Sequence, residues 1–261
     1  MIRLYDHPLS PYAQKVRIAL REKGVAFEAV LPGGLGAGGV AGEFLAASPR
    51  AEVPALIDGD VAVFDSTVIL EYLEDSRPAP PLLPASAADR ARVRMIEEIM
   101  DTHYEAINWA LGEIGWFRRA EGDLADTLTA NAARQTRGFH AWLESQLGER
   151  QWFNGAAFGW GDVSVVPYVA ASAALGNAPS ADSKLSTWLA RVMGRDAVRE
   201  TIDEARAFDR GAVDVADLVR RGLFKREYRD HRLEWMIKSG GVEIVLDGLK
   251  ADNVRFAPDF R

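Results

Sequence analysis

The sequence predicts an α/β unit followed by an all-helical one. Three observations carry this. The first 77 residues alternate between strand-period and helix-period apolar patterns in the order β-α-β, a loop and helix, then β-β-α. Residues 78–84 form a proline-rich linker. Beyond it the apolar spacing is helical throughout. The expected division is 1–79, 88–210, and a C-terminal extension over 211–261.

Ile2, Leu4 and Tyr5 read as a first strand that stops at His7-Pro8, because proline removes a ladder donor and keeps its predecessor extended. Tyr12, Val16, Ala19 and Leu20 then share a helix face, with Lys15, Arg17 and Arg21 turned away from it. Ser10 is the expected N-cap and Pro11 the first helical residue. A hydroxyl placed there sits beside unsatisfied N–H groups at the positive end of the helix dipole, where an anion is stabilised. Plain capping is the competing reading of Ser10-Pro11.

Composition narrows the chemistry. The chain has 261 residues, is 48% hydrophobic and 26% charged, and carries a formal net charge of -7, so general nucleic-acid binding has no electrostatic support. Cysteine is absent, which excludes disulfides, thiolate metal sites and a protein cysteine nucleophile; any thiol must come from a bound small molecule. His7, His103, His140 and His231 are scattered without metal-ligand spacing, so no metal is expected. No segment reads as a signal or a membrane span, and a cytoplasmic protein is expected.

Lys23-Gly24 ends the first helix, and residues 25–31 alternate as a second strand. Gly33, Gly34, Gly36, Gly38 and Gly39 lack the spacing of a dinucleotide fingerprint, which favours a mobile loop over a phosphate cradle. Residues 55–57 and 61–64 are two short strands about Asp58-Gly59, a hairpin signal, and Ser66 opens a third helix that buries Ile69, Tyr72 and Leu73.

Together, the Ser10-Pro11-Tyr12 helix start, Glu52-Val53-Pro54-Ala55-Leu56, and Asp65-Ser66 followed by residues 68–73 resemble the thioredoxin-like domain of the cytosolic glutathione transferase family, in a serine-type, bacterial-like form. Such a domain followed by an all-helical one is the fold this resemblance implies. A helix from about Asp89 to Phe117 and another from about Leu124 to Leu147 suit the second domain, with His103 expected as a core histidine. Residues 158–168 resemble the family's capping box and buried helix, although Gly159 stands where members carry Ser or Thr, so only the Asp162 half remains. The resemblance fades near Asp209. Beyond it a helix, a Gly240-Gly241 break and a second element over 242–249 are expected. Trp235 and Met236 would pack back on the helical domain, and Arg220, Arg221, Lys225, Arg226, Arg229 and Arg232 would form a solvated face rather than an anion or partner site.

The resemblance implies that glutathione supplies the thiol. Asp65 and Ser66 would hold its γ-glutamyl end, Val53 its cysteinyl backbone beside a cis Pro54, and Glu52 would contact the same ligand. Ser10 would donate to the sulfur, with Tyr12 and Tyr5 as rival donors that the helix-terminus argument disfavours. Leu9, Tyr104, Asn108, Leu111 and Phe117 would wall an apolar electrophile pocket, and Trp109 and Trp116 would simply pack. The expected activity is a glutathione transferase acting on a small electrophile, as a homodimer with no nucleic-acid or membrane partner. Glutathione-dependent isomerase, lyase or disulfide reductase activity, and a non-catalytic regulatory protein on the same fold, remain the alternatives.

Overall fold

The computed structural model describes residues 1–208, 214–227 and 230–255. Strands β1 (Ile2–Tyr5), β2 (Phe27–Val30), β3 (Ala55–Asp58) and β4 (Val61–Phe64) form a sheet ordered β2-β1-β3-β4. β1 runs parallel to β2, with Leu4 beside Ala29, and antiparallel to β3, with Leu4 beside Leu56. Helices α1 (Pro11–Glu22) and α3 (Ser66–Ser76) join Leu4 and Leu56 in one apolar cluster through Val16, Leu20, Ile69 and Leu73. The short helix α2 (Glu43–Ala47) packs Phe44 and Ala47 with Tyr5 and Ala55 in a separate one.

After the linker come α4 (Ala87–Ile99), a π-helical turn (Met100–Tyr104) and α5 (Glu105–Gly115). They are followed by α6 (Gly122–Leu147), α7 (Trp160–Ala174), α8 (Lys184–Met193) and α9 (Asp196–Ala207). The π turn divides what the sequence suggests is one helix. It accommodates an extra residue and shifts the helical phase. His103 is consequently exposed rather than in the core, its Nδ1 2.7 Å from Thr102 Oγ1.

The polar face assigned to α1 also needs correcting, since Lys15 and Arg17 are buried. Helix α1 packs against α3, α7 and α9, and its cations meet acids from several elements: Lys15 reaches Glu97 on α4 and Asp101 in the π turn, and Arg17 reaches Asp6 just after β1 and Glu204 on α9. Helical spacing reports which residues share a face. It does not report which faces are covered.

Asp162 organises the start of α7. One oxygen accepts from Phe153 N and Trp188 Nε1, both at 2.8 Å, and the other from Asn154 N at 3.2 Å and Gly159 N at 3.1 Å. Burial pushes its carboxyl up to about 6 despite these donors. The glycine beside it has a steric reason. A Cβ on Gly159 would lie 2.3 Å from Leu82 O, the carbonyl that accepts from Trp160 N at 2.8 Å.

The extension contains α10 (Val215–Arg220), α11 (Asp230–Lys238) and α12 (Val242–Lys250). It is not wholly helical: β5 (Arg226–Glu227) pairs in parallel with β6 (Val254–Arg255). Trp235 and Met236 do pack back, into a cluster with Ile107, Leu111, Leu128 and Ala132. The expected boundary at 210/211 and Arg229 lie outside the described residues. Among the described residues no helix is long and apolar enough to cross a membrane.

Candidate functional site

The turn between β1 and α1 is held by its own backbone and by the His7 and Gln14 side chains. Ser10 N donates to His7 O at 2.8 Å, Leu9 N to His7 Nδ1 at 3.2 Å, and Gln14 Nε2 to Pro8 O at 2.7 Å. Ser10 is extended (φ -79°, ψ 116°), and its Oγ accepts from Ala13 N at 3.3 Å. A hydroxyl has one proton and two lone pairs, so a capping Ser10 keeps its O–H for another partner. Both rival donors are committed elsewhere: Tyr12 OH donates to Asp101 O at 2.8 Å and Tyr5 OH to Glu43 Oε2 at 2.6 Å.

Across the same end of the sheet, the Val53-Pro54 bond is cis, and the Val53 backbone makes no hydrogen bond among the described residues. Asp65 caps α3, its Oδ1 accepting from Thr67 N at 3.1 Å and Val68 N at 3.4 Å. Its φ of 75° is sparsely populated for a residue other than glycine. Ser66, the first residue of α3, is buried beside this cap.

Arg50, which no motif in the sequence marks, joins the two halves of this site. Its Nε lies 3.1 Å from Glu52 Oε2 and its NH2 donates to Asp65 Oδ2 at 3.3 Å, while the guanidinium covers the Phe64 ring. Glu52, Val53, Pro54, Asp65 and Ser66 thus share one neighbourhood. The available signal was a lone cation two residues before Glu52, which spacing alone does not distinguish from a surface arginine.

The expected pocket residues do not form one wall. Tyr104 is fully buried, with its hydroxyl 2.8 Å from His140 Nε2 and its ring against Phe139, so it belongs to the core. Asn108 donates to Tyr168 O at 2.9 Å, and Leu111 lies in the cluster under the extension. Leu9 is half-buried in the Ser10 turn. Phe117 stacks on Phe224, ring centroids 6.0 Å apart, with the Arg226 guanidinium 3.8 Å from its centroid.

Phe224 also reaches the glycine-rich loop, where a Cβ on Gly36 would come within 2.4 Å of its ring, and Lys225 N donates to Gly36 O at 2.7 Å. The extension therefore spans from that loop to the end of α5. Nor is its basic run wholly solvated. Arg226 Nε donates to Glu113 Oε1 at 2.6 Å, Arg232 NH2 to Glu105 Oε1 at 2.6 Å, and the Trp109 ring lies 5.1 Å from each guanidinium. Arg220 and Arg221 do stay exposed, and among the described residues each pairs only with Asp217.

Comparison with known proteins places this arrangement. Residues 4–81 match the family model described as "Glutathione S-transferase, N-terminal domain". A stringent starvation protein A homolog from Coxiella burnetii is 38% identical over 96 residues, 37% of this chain and 44% of that protein; the chain thus spans less than half the length of the first curated relatives it matches. A probable glutathione S-transferase GSTU1 from Oryza sativa subsp. indica is 31% identical over 175 residues, 64% of this chain and 72% of that protein. Among solved structures, a glutathione S-transferase from Rhodospirillum rubrum superposes with TM-score 0.68 at 29% identity, covering 84% of this chain and 99% of that one. A thioredoxin-like sheet domain, a helical C-terminal region and these relatives lead to one conclusion: the chain belongs to the glutathione S-transferase family.

Proposed function

We propose that this protein is a glutathione transferase in which Ser10 activates the thiol of bound glutathione. The γ-glutamyl end lies against Asp65 and Ser66, with Arg50 and Glu52 beside it, and the cysteinyl backbone pairs with the unused N–H and C=O of Val53. The observation that carries the reading is Ser10 itself, whose Oγ is held by Ala13 N while its proton has no acceptor among the described residues. That O–H donates to the sulfur, and the positive end of α1 favours the thiolate over the thiol. The thiolate attacks a small apolar electrophile; a C–S bond forms and the leaving group departs with its electron pair. The electrophile meets the sulfur on the side of Leu9, the residue next to Ser10. The protein acts as a homodimer in the cytoplasm, with Val68 and Met95, both left exposed on α3 and α4, at the interface.

Calorimetric titration with reduced glutathione, paired with thiolate absorbance across pH, tests the reading. Ser10→Ala leaves affinity nearly unchanged, raises the bound thiol's pKa and lowers turnover on the order of tenfold to a hundredfold, the worth of a hydrogen bond to a charged group. Asp65→Ala instead weakens glutathione binding. A folded protein that binds no glutathione would overturn the proposal.

A further inference from the structure

Glutathione must reach two helix starts at once, Ser10 before α1 and Ser66 on α3. A buried carboxylate outside the site is bonded to both helices. Glu97 Oε1 accepts from Lys15 Nζ at 2.8 Å and from Thr67 Oγ1 at 2.9 Å, and Oε2 accepts from Trp160 Nε1 at 2.6 Å. Thr67 is the residue after Ser66. Lys15 is five residues after Ser10, roughly 7 Å along the axis. The π turn adds two more ties to α1: Lys15 Nζ donates to Asp101 Oδ2 at 2.5 Å, and Tyr12 OH to Asp101 O. Asp101 Oδ1 in turn accepts from Tyr168 OH at 2.6 Å, and Glu105 completes the charges acting on that tyrosine.

Stability alone is a poor reason for this cluster. It buries two carboxylates against one ammonium, and apolar residues of similar volume usually serve a core as well or better. What directed bonds supply is a set distance. We propose that Glu97 is a positioning residue: by holding α1 through Lys15 and α3 through Thr67, it sets the separation between the Ser10 hydroxyl and the Asp65-Ser66 clamp that a single glutathione spans. This rests on the function proposed above. Misplacement of reacting groups by about 1 Å can cost on the order of a hundredfold, so the spacing of two anchoring points bears directly on activity.

The test uses the full chain with reduced glutathione as the probe. Thr67→Val removes only the α3 bond at nearly constant volume, Thr67→Ser retains it, and Glu97→Gln loosens both helices. Thr67→Val is expected to bind glutathione about tenfold more weakly and to raise the bound thiol's pKa, with its melting temperature little changed, while Thr67→Ser matches the parent. If Thr67→Val and Glu97→Gln bind with the parent's affinity and thiol pKa, the inference fails and the proposed function stands. A drop in melting temperature with an unmoved thiol pKa would show a merely structural role and overturn it equally. If the parent binds no glutathione, the function itself falls and takes this inference with it.

Discussion

One run of helix, from α4 to α5, carries two sets of buried carboxylates in opposite electrostatic conditions. Glu97 and Asp101 face α1 and, among the described residues, share the single cation Lys15. Glu105 and Glu113 face the extension, Glu105 with Arg232 and His231, Glu113 with Arg226 and with Arg119 at 3.0 Å. Burial raises Asp101, Lys15 opposes it and Glu97 adds to it, leaving the carboxyl at about 6. Burial acts on Glu105 in the same sense, yet Arg232 and His231 hold it down to about 2. Burial acts on both in the same sense; at Glu105 its partners outweigh it, and at Asp101 a lysine shared with Glu97 does not.

The sharpest way to break this comparison is to remove a cation from each set. Lys15→Met strands both Glu97 and Asp101 and should cost about 3–5 kcal/mol in urea unfolding at pH 7. The loss should shrink toward pH 5, where Asp101 takes up a proton. Arg226→Met leaves Arg119 beside Glu113 and should cost less, on the order of 1–2 kcal/mol, including its contact with Phe117. Equal losses would mean that sharing one cation is not what distinguishes the first set.

A smaller effect separates the two sets by pH. Asp101 has a folded pKa of about 6 above its ordinary 3.8, so between these values the native state holds a proton that the unfolded chain has lost. Stability therefore falls as pH rises through that window. Glu105 behaves oppositely: its contribution is complete above its ordinary 4.5 and is lost as pH falls toward about 2. Asp162, also near 6, adds to the first slope, so the measurement is the difference between the parent and Asp101→Asn, which should flatten between pH 4 and 6. The smallest effect is expected at the exposed pair Arg220–Asp217, where Arg220→Ala should change stability by less than about 0.5 kcal/mol.

Much of the fold was legible because its signals are local. Ser10 caps α1, Asp58-Gly59 turns a hairpin, and the Gly240-Gly241 break separates α11 from α12 as spacing suggested. The neighbourhood of Glu52, Val53, Asp65 and Ser66 came from motifs, but the Arg50 bridge across it did not, because its partners lie at different distances along the chain. Tyr104 misled for a related reason. An aromatic at helical spacing looks the same whether it faces a pocket or, as here, His140 in the core.

By itself the sequence determined the order and type of most elements, their caps, and the absence of any protein thiol, because period, capping and composition act within a turn or two of chain. Only the tertiary structure decided what covers each face. It buried Lys15 and Arg17, turned His103 outward at the π turn, and joined Arg226 to Glu113 and Arg232 to Glu105 across 113 and 127 residues of chain. A charge's partner depends on which helices meet, and that follows from packing the whole chain rather than from its local pattern.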